Sequence, residues 1–76
     1  DELEGSDIIV YPNPTKDILT IETRLNIEVE LYNIMGEIIK LDNSKRIDLS
    51  SYPNGIYNLV IKYDQIVINK KIIKTK

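Results

Sequence analysis

The chain has 76 residues, enough for one small domain, and a net charge of −2. It contains no cysteine and no histidine, which excludes a disulfide framework and a thiolate metal site and removes the commonest general base. No window approaches the roughly 20 apolar residues of a membrane-spanning helix. Isoleucine dominates the apolar residues and alanine is absent, a composition that favours pleated sheets over helices.

The first seven residues, DELEGSD, are acidic and polar with a Gly-Ser pair. We predict that residues 1–7 are the end of a linker from a preceding domain and that residues 8–76 form the folded domain. The chain also begins without an initiating methionine. We therefore expect it to be a fragment of a longer protein.

Two prolines bracket Asn13 in the segment YPNP, residues 11–14. Each proline fixes its own φ and lacks a backbone donor, and each keeps the residue before it out of the helical region. Asn13 is able to close a local turn with its side chain. The segment therefore predicts a stiff bend between a first edge strand and a second strand.

Seven short apolar runs separated by turn residues are predicted to be strands, because they recur at the spacing of a sandwich or barrel. They span residues 7–11, 17–23, 27–33, 37–42, 46–50, 55–63 and 66–74. The third run is the clearest. Val29 and Leu31 alternate with Glu28 and Glu30, whereas a helix would scatter these residues around its circumference.

The apolar residues on one face of each strand predict a single core between two sheets. The expected inward residues are Leu19, Ile21, Ile27, Val29, Leu31, Ile47, Leu49, Tyr57, Leu59 and Ile61. The predicted fold class is all-β, an immunoglobulin-like antiparallel β-sandwich of about seven short strands without the usual disulfide.

The segment SYPNG, residues 51–55, is the strongest turn signal in the chain. Tyr57 follows it at the start of a long strand. This placement fits a tyrosine corner, in which the hydroxyl bonds back to upstream backbone, and equally fits an ordinary core tyrosine.

Charge is spread unevenly: residues 1–30 hold eight acids and two bases, and residues 62–76 hold five bases and one acid. The basic end is either a solvated edge strand that resists pairing or a surface for an acidic partner. Nucleic acid is not expected as a partner, because basic and aromatic residues do not interleave. Glu28 and Glu30 share a face but have no partner base, so we expect no enzyme, no metal and no cofactor.

Four segments in this order resemble the type A C-terminal sorting domain of the type IX secretion system: VYPNPTKDILTIE, VELYNIMGEIIK, IDLSSYPNGIYNLVI and NKKIIK. The resemblance covers residues 8–74. It implies a sandwich that directs a larger N-terminal cargo protein across the outer membrane, with the periplasm as the transit compartment. The implied partners are the outer-membrane translocon, a shuttle protein and a sortase-like surface protease that removes the domain, leaving the cargo released or attached at the cell surface.

The resemblance also implies which residues carry the family motifs. They are Tyr11, Pro12, Asn13 and Pro14; Leu31, Tyr32, Asn33 and Gly36; Leu49, Pro53, Asn54, Gly55, Ile56 and Tyr57; and Lys70, Lys71, Ile73 and Lys74. Ile34 and Met35 depart from the pattern, because the family often carries polar residues in that turn.

For the recognition surface we predict the backbone of the last strand together with Lys70, Lys71, Ile73 and Lys74, since a terminal edge is able to add to a partner sheet. Cleavage is expected in the linker, with Gly5 and Ser6 as the candidate region.

Two alternatives remain at this point. The first is a structural or adhesive spacer of the immunoglobulin or fibronectin type. The second is a carbohydrate-binding module that uses Tyr32 and Tyr63 as platforms.

Overall fold

A computed structural model describes residues 8–75, which form two antiparallel sheets and no helix. The predicted linker, residues 1–7, with Gly5 and Ser6, lies outside the described residues, as does Lys76. All seven predicted strands are found, with ends that agree to within two residues. The strands are β1 (Ile9–Tyr11), β2 (Ile18–Glu22), β3 (Glu28–Tyr32), β4 (Ile38–Asp42), β5 (Arg46–Asp48), β6 (Gly55–Tyr63) and β7 (Ile66–Lys74).

The two sheets have the orders β1-β2-β5 and β4-β3-β6-β7. The chain therefore passes from one sheet to the other between β2 and β3, between β4 and β5, and between β5 and β6. These crossings cover the apolar face of each sheet with the other one. The all-β sandwich predicted from the sequence is confirmed.

The core lies between the sheets and contains every residue predicted to face inward. Leu19, Leu31, Ile47, Leu59 and Ile61 have no exposed surface. The alternation of buried and exposed positions in β2 and β3 has the period of two that a half-buried strand requires. Burying each such side chain stabilises the fold by about 1.5–3 kcal/mol.

Three core members were not predicted: Ile8, Tyr63 and Ile72. Val60 is buried as well, but it lines the outer face rather than this core. Ile72 has no exposed surface and lies on the core face of β7. Ile68 and Ile66, two and three alternate positions earlier on the same face, pack against this core. Because Tyr63 is only 5% exposed, it does not offer the platform that the carbohydrate-binding alternative requires.

The turn before β6 is fixed by two tyrosines. The Tyr57 hydroxyl donates to the carbonyl oxygen of Pro53, which confirms the tyrosine corner rather than the ordinary core tyrosine. The ring of Tyr52 lies 6.4 Å from that of Tyr57, centroid to centroid. Its hydroxyl is 3.4 Å from the carbonyl oxygen of Ile39, so this turn is attached to β4 as well.

The β6–β7 hairpin closes through a two-residue turn. Tyr63 pairs with Ile66, and Asp64 between them has a φ of 52°. Aspartate is one of the few residues besides glycine that visit this left-handed region. Among residues 8–75 no helix is long and apolar enough to cross a membrane.

Candidate recognition surface

The predicted recognition strand, β7, forms one edge of the four-stranded sheet. Its side chains alternate between the core face and the outer face, so the four predicted residues do not form a single surface. Lys71 and Ile73 are exposed on the outer face, whereas Lys70 is half-buried on the same side as Ile72. Lys74 also faces that side.

Lys74 is buried, with only 7% of its surface exposed, and its Nζ lies 3.4 Å from the Oδ1 of Asn54. The expectation that it presents a surface charge is therefore wrong. The alternation of β7 already indicated this burial, because Lys74 is two residues after Ile72 and so shares its face. Backbone pairing of Lys74 with Gly55 places it beside the turn that precedes β6.

Asn13 completes the C-terminal half of the β7 edge with its side chain. Its Nδ2 donates to the Lys71 carbonyl at 2.9 Å, and its Oδ1 accepts from the Ile73 amide at 3.0 Å. The side-chain amide thus takes the place of a neighbouring strand's peptide group. The local turn expected for Asn13 is wrong, although the segment does bend the chain between β1 and β2 as predicted.

Thr15 continues this contact with its backbone. Its amide donates to the Ile73 carbonyl and its carbonyl accepts from the Thr75 amide, both at 2.8 Å. This is a parallel bridge outside the named strands. Thr15 is itself buried, and its Oγ1 donates to the Ile18 carbonyl. We call residues 12–15 the clasp, because they hold the last residues of β7 in place.

The clasp leaves the N-terminal half of the β7 edge without a neighbour among residues 8–75. In an antiparallel pair, alternate residues turn both backbone groups away from the partner strand. The backbone groups of Lys71 and Ile73 point away from β6, because they bond to the clasp. Val67 and Asn69 lie at the alternate positions before them, so their backbone groups also point outward. This short stretch is able to accept an added strand.

The β3–β4 turn is shaped by Asn33 and Gly36. The Asn33 Oδ1 accepts from the amides of Met35 and Glu37 at 2.9 and 3.0 Å, and its Nδ2 donates to the Glu37 carboxylate at 2.8 Å. Gly36 has a φ of 84°, which glycine adopts most readily. Ile34 and Met35 at the tip are 76% and 79% exposed, so a well-bonded turn presents two apolar side chains.

A groove of about 450 Å³ lies between this turn and the outer face of the four-stranded sheet. Ile34 borders it on one side, and Ile56 and Lys71 border it on the other. Tyr32 and Asn58, which are paired across β3 and β6, line its centre.

The opposite end of the same face carries an ion pair. The Lys62 Nζ lies 2.9 Å from the Glu30 Oε2, and the Tyr32 hydroxyl donates to the Glu30 Oε1 at 2.7 Å. The hydrogen bond from Lys62 lowers the pKa of Glu30 below its ordinary 4.5, and the hydrogen bond to Glu30 raises the pKa of Tyr32 above its ordinary 10.0. Tyr32 is thus held by Glu30, which argues against its role as a free platform for carbohydrate.

Acidic side chains do not cluster in the part of the chain that the structure describes. Glu28 and Glu30 share the outer face of β3 as predicted, but Glu30 is committed to Lys62. Within residues 8–75 no group of three or more histidine, cysteine, aspartate or glutamate side chains could hold a metal ion.

The family-motif residues therefore meet at one end of the sandwich. The clasp bonds to β7, Lys74 reaches Asn54, and Lys71 faces the β3–β4 turn across the groove. Tyr11 is 44% exposed, and Pro12 and Pro14 are exposed beside Asn13. Sequence reasoning found the motifs but not the contacts among them.

The family model described as the secretion system C-terminal sorting domain matches residues 9–75. No curated protein matches the chain.

Proposed function

Because the chain belongs to the family of secretion system C-terminal sorting domains, we propose that it directs a larger cargo protein, joined to its N-terminal side, across the outer membrane through the type IX secretion system. The observation that carries this proposal is the match over residues 9–75, which includes the whole sandwich from β1 to β7. In this role the domain is a folded label with no reaction of its own.

We place recognition on the free edge of β7 and on the side chains around it. Lys71 and Ile73 contribute from the outer face, and Lys70 contributes from the other side of the strand. Lys74 keeps a structural role, since it is buried against Asn54. An extended partner segment would pair with the outward backbone groups at Val67 and Asn69, and the lysines would favour an acidic partner. The proposed partners are the outer-membrane translocon and its shuttle protein.

Removal by a sortase-like surface protease belongs to the same proposal, with residues 1–7 and their Gly5-Ser6 pair as the candidate region. A protease needs an extended and accessible backbone. Ile8 is only 2% exposed and Ile9 already pairs with Glu22, so cleavage further into the domain would require the fold to open. Mass spectrometry of the mature cargo's C-terminus tests this, and a cut after Ile9 would contradict it.

The function is tested by fusing residues 1–76 to a reporter that carries a signal peptide. Export to the medium or cell surface is expected in a host with the type IX machinery and not in a mutant lacking the translocon. Reporter that stays in the periplasm of the competent host would refute the proposal. A spacer of the immunoglobulin or fibronectin type would instead persist in the mature protein and give no export.

The recognition surface is tested in the same fusion. The double variant Lys70→Glu, Lys71→Glu should slow export while leaving the melting temperature unchanged to within a few degrees, because Lys71 is exposed and Lys70 is only half-buried, and charges that remain in contact with solvent contribute little to stability. Lys16→Glu, Arg24→Glu is the matched control, since both residues are exposed and lie outside β7. Equal export by the two double variants would show that Lys70 and Lys71 are not part of the recognition surface.

A further inference from the structure

The groove beside the β3–β4 turn has an apolar rim that the rest of the domain does not cover. Ile34 is 76% exposed and Ile56 is 45% exposed. Ile73, the cross-strand neighbour of Ile56, is 38% exposed. The volume of about 450 Å³ lies within the range of about 300–1,000 Å³ found for ligand pockets.

The walls of the groove are already formed without a ligand. The turn that carries Ile34 is held by three hydrogen bonds of the Asn33 side chain, which accepts two and donates one. The opposite wall belongs to the paired strands β6 and β7, whose ends are tied by the clasp and by the Tyr57 hydroxyl. Binding of a partner therefore costs little free energy for ordering this surface.

The charge at the groove is positive. Lys71 is the charged residue among those that line it, and within residues 8–75 it makes no ion pair. Near this face Glu30 pairs with Lys62 and Glu37 accepts from Asn33, and Glu28 does not line the groove. An apolar side chain next to a carboxylate complements this arrangement.

We infer that the groove bordered by Ile34, Ile56 and Lys71 docks an extended segment of a partner protein that carries an apolar side chain beside an aspartate or glutamate. The apolar side chain lies between Ile34 and Ile56, and the carboxylate meets the Lys71 ammonium group. The inference rests on the proposed function only in assigning the segment to the export machinery, since the binding chemistry belongs to the groove itself.

A lipid surface fits these observations less well than a polypeptide. The apolar side chains surround a concave groove, and a single unpaired lysine is a small charge for attracting an anionic membrane, which usually takes a cluster of basic residues. The net charge of the chain is also −2. Binding to a membrane is therefore one of the competing results that the experiment distinguishes.

The test begins with selection from a random-peptide display library on the immobilised 76-residue chain. The inference expects the enriched peptides to combine leucine-sized apolar residues with adjacent aspartate or glutamate. The synthetic form of the most enriched peptide is then titrated into the labelled domain. Backbone amide shifts should change at Ile34, Ile56 and Lys71.

Two variants examine the two halves of the groove. Lys71→Gln should weaken binding of that peptide by about threefold, the size of an exposed charge pair. Ile34→Ser should weaken it by about fivefold or more, since it removes apolar area from the contact. Leu41→Ser and Lys16→Gln are the matched controls, because Leu41 is 69% exposed outside the groove lining and Lys16 is exposed outside the sheet. Melting temperatures close to that of the parent chain would show that every variant is folded.

Three results would overturn the inference. One is enrichment of peptides without acidic residues, and another is equal binding by Ile34→Ser and Leu41→Ser. The third is sedimentation with vesicles of equimolar phosphatidylcholine and phosphatidylglycerol that depends on Ile34, in the absence of any peptide enrichment. If the reporter fusion is exported but the groove binds no peptide, the inference fails and the proposed function stands.

Discussion

Asn13 and Ile73 are 60 residues apart in the chain, and a hydrogen bond of 3.0 Å joins the Ile73 amide to the Asn13 Oδ1. The same side chain donates to the Lys71 carbonyl. One asparagine thus satisfies two backbone groups that would otherwise be open at the edge of β7. The first and last sequence motifs of the domain therefore contact each other directly through these hydrogen bonds.

Removal of this side chain should loosen the end of β7. Asn13→Ala should lower the free energy of unfolding by about 1 kcal/mol, the usual value for lost hydrogen bonds of this kind, and should speed exchange of the Ile73 amide in hydrogen-exchange NMR. Asn43→Ala is the control, because Asn43 is exposed in the loop after β4. Unchanged exchange at Ile73 would show that the clasp does not hold the strand.

The tyrosine corner should contribute measurably to stability. Tyr57→Phe removes only the hydroxyl that donates to Pro53 and leaves that carbonyl without this partner. The expected loss is about 0.5–1.5 kcal/mol, measured by urea denaturation. Tyr11→Phe removes a hydroxyl from an exposed side chain, and we expect it to change stability by less than this. A result in which the two variants are equal would mean that the corner is incidental to stability.

Leu59 and Leu41 are the same residue type in opposite environments, so their substitution tests the effect of burial alone. Leu59 has no exposed surface and Leu41 is 69% exposed. Leu59→Ala should cost about 2–5 kcal/mol, a large part of the roughly 4–11 kcal/mol expected for a domain of this length. Leu41→Ala should change the unfolding free energy far less. Similar losses in chemical denaturation would contradict the position of the core.

The ion pair predicts a specific dependence on pH. The pKa of Glu30 is lowered in the folded state by Lys62, so its contribution to stability is present above the unfolded pKa near 4.5 and is lost as the pH falls through the folded value. Lys62→Gln should raise the pKa of Glu30 toward 4.5, as measured by NMR titration of its carboxyl carbon. Lys16→Gln should leave that titration unchanged, and a shift of equal size in both variants would assign the effect to net charge.

Lys71 and Lys74 should respond differently to the same substitution. Lys74 is 7% exposed beside Asn54, so Lys74→Glu would bury a carboxylate facing an amide oxygen and should cost about 1–3 kcal/mol. Lys71→Glu, on the exposed outer face, should stay within about 0.5 kcal/mol. Thermal melts of the two variants decide the matter, and equal melting temperatures would contradict the burial of Lys74.

The strands and most of the core could be predicted from the sequence because both depend on local alternation. Val29 and Leu31, for example, are buried while Glu28 and Glu30 between them point outward, as a period of two requires. In β7 the same alternation is harder to recognise, because lysines occupy positions on both faces. Lys74 is two residues after Ile72 and so lies on the same face. The pattern was present, but residue type suggested the opposite environment.

The contacts of the candidate surface could not be predicted in this way. The clasp joins residues 13 and 15 to residues 71–75, and no local rule links segments so distant in sequence. The groove likewise depends on which strands are neighbours, since Ile34 meets Ile56 and Lys71 only because β3, β6 and β7 are adjacent. Strand order is a property of the whole chain.

The clasp also makes the stability of the segment between β1 and β2 depend on the last residues of β7. The Asn13 side chain and the Thr15 backbone bond to residues 71–75, at the far end of the domain. A product that ends before residue 71 leaves those groups to water and lacks Ile72 in the interior. A domain truncated before residue 71 would therefore be less stable than the intact sandwich, so the two ends of the domain depend on each other for folding.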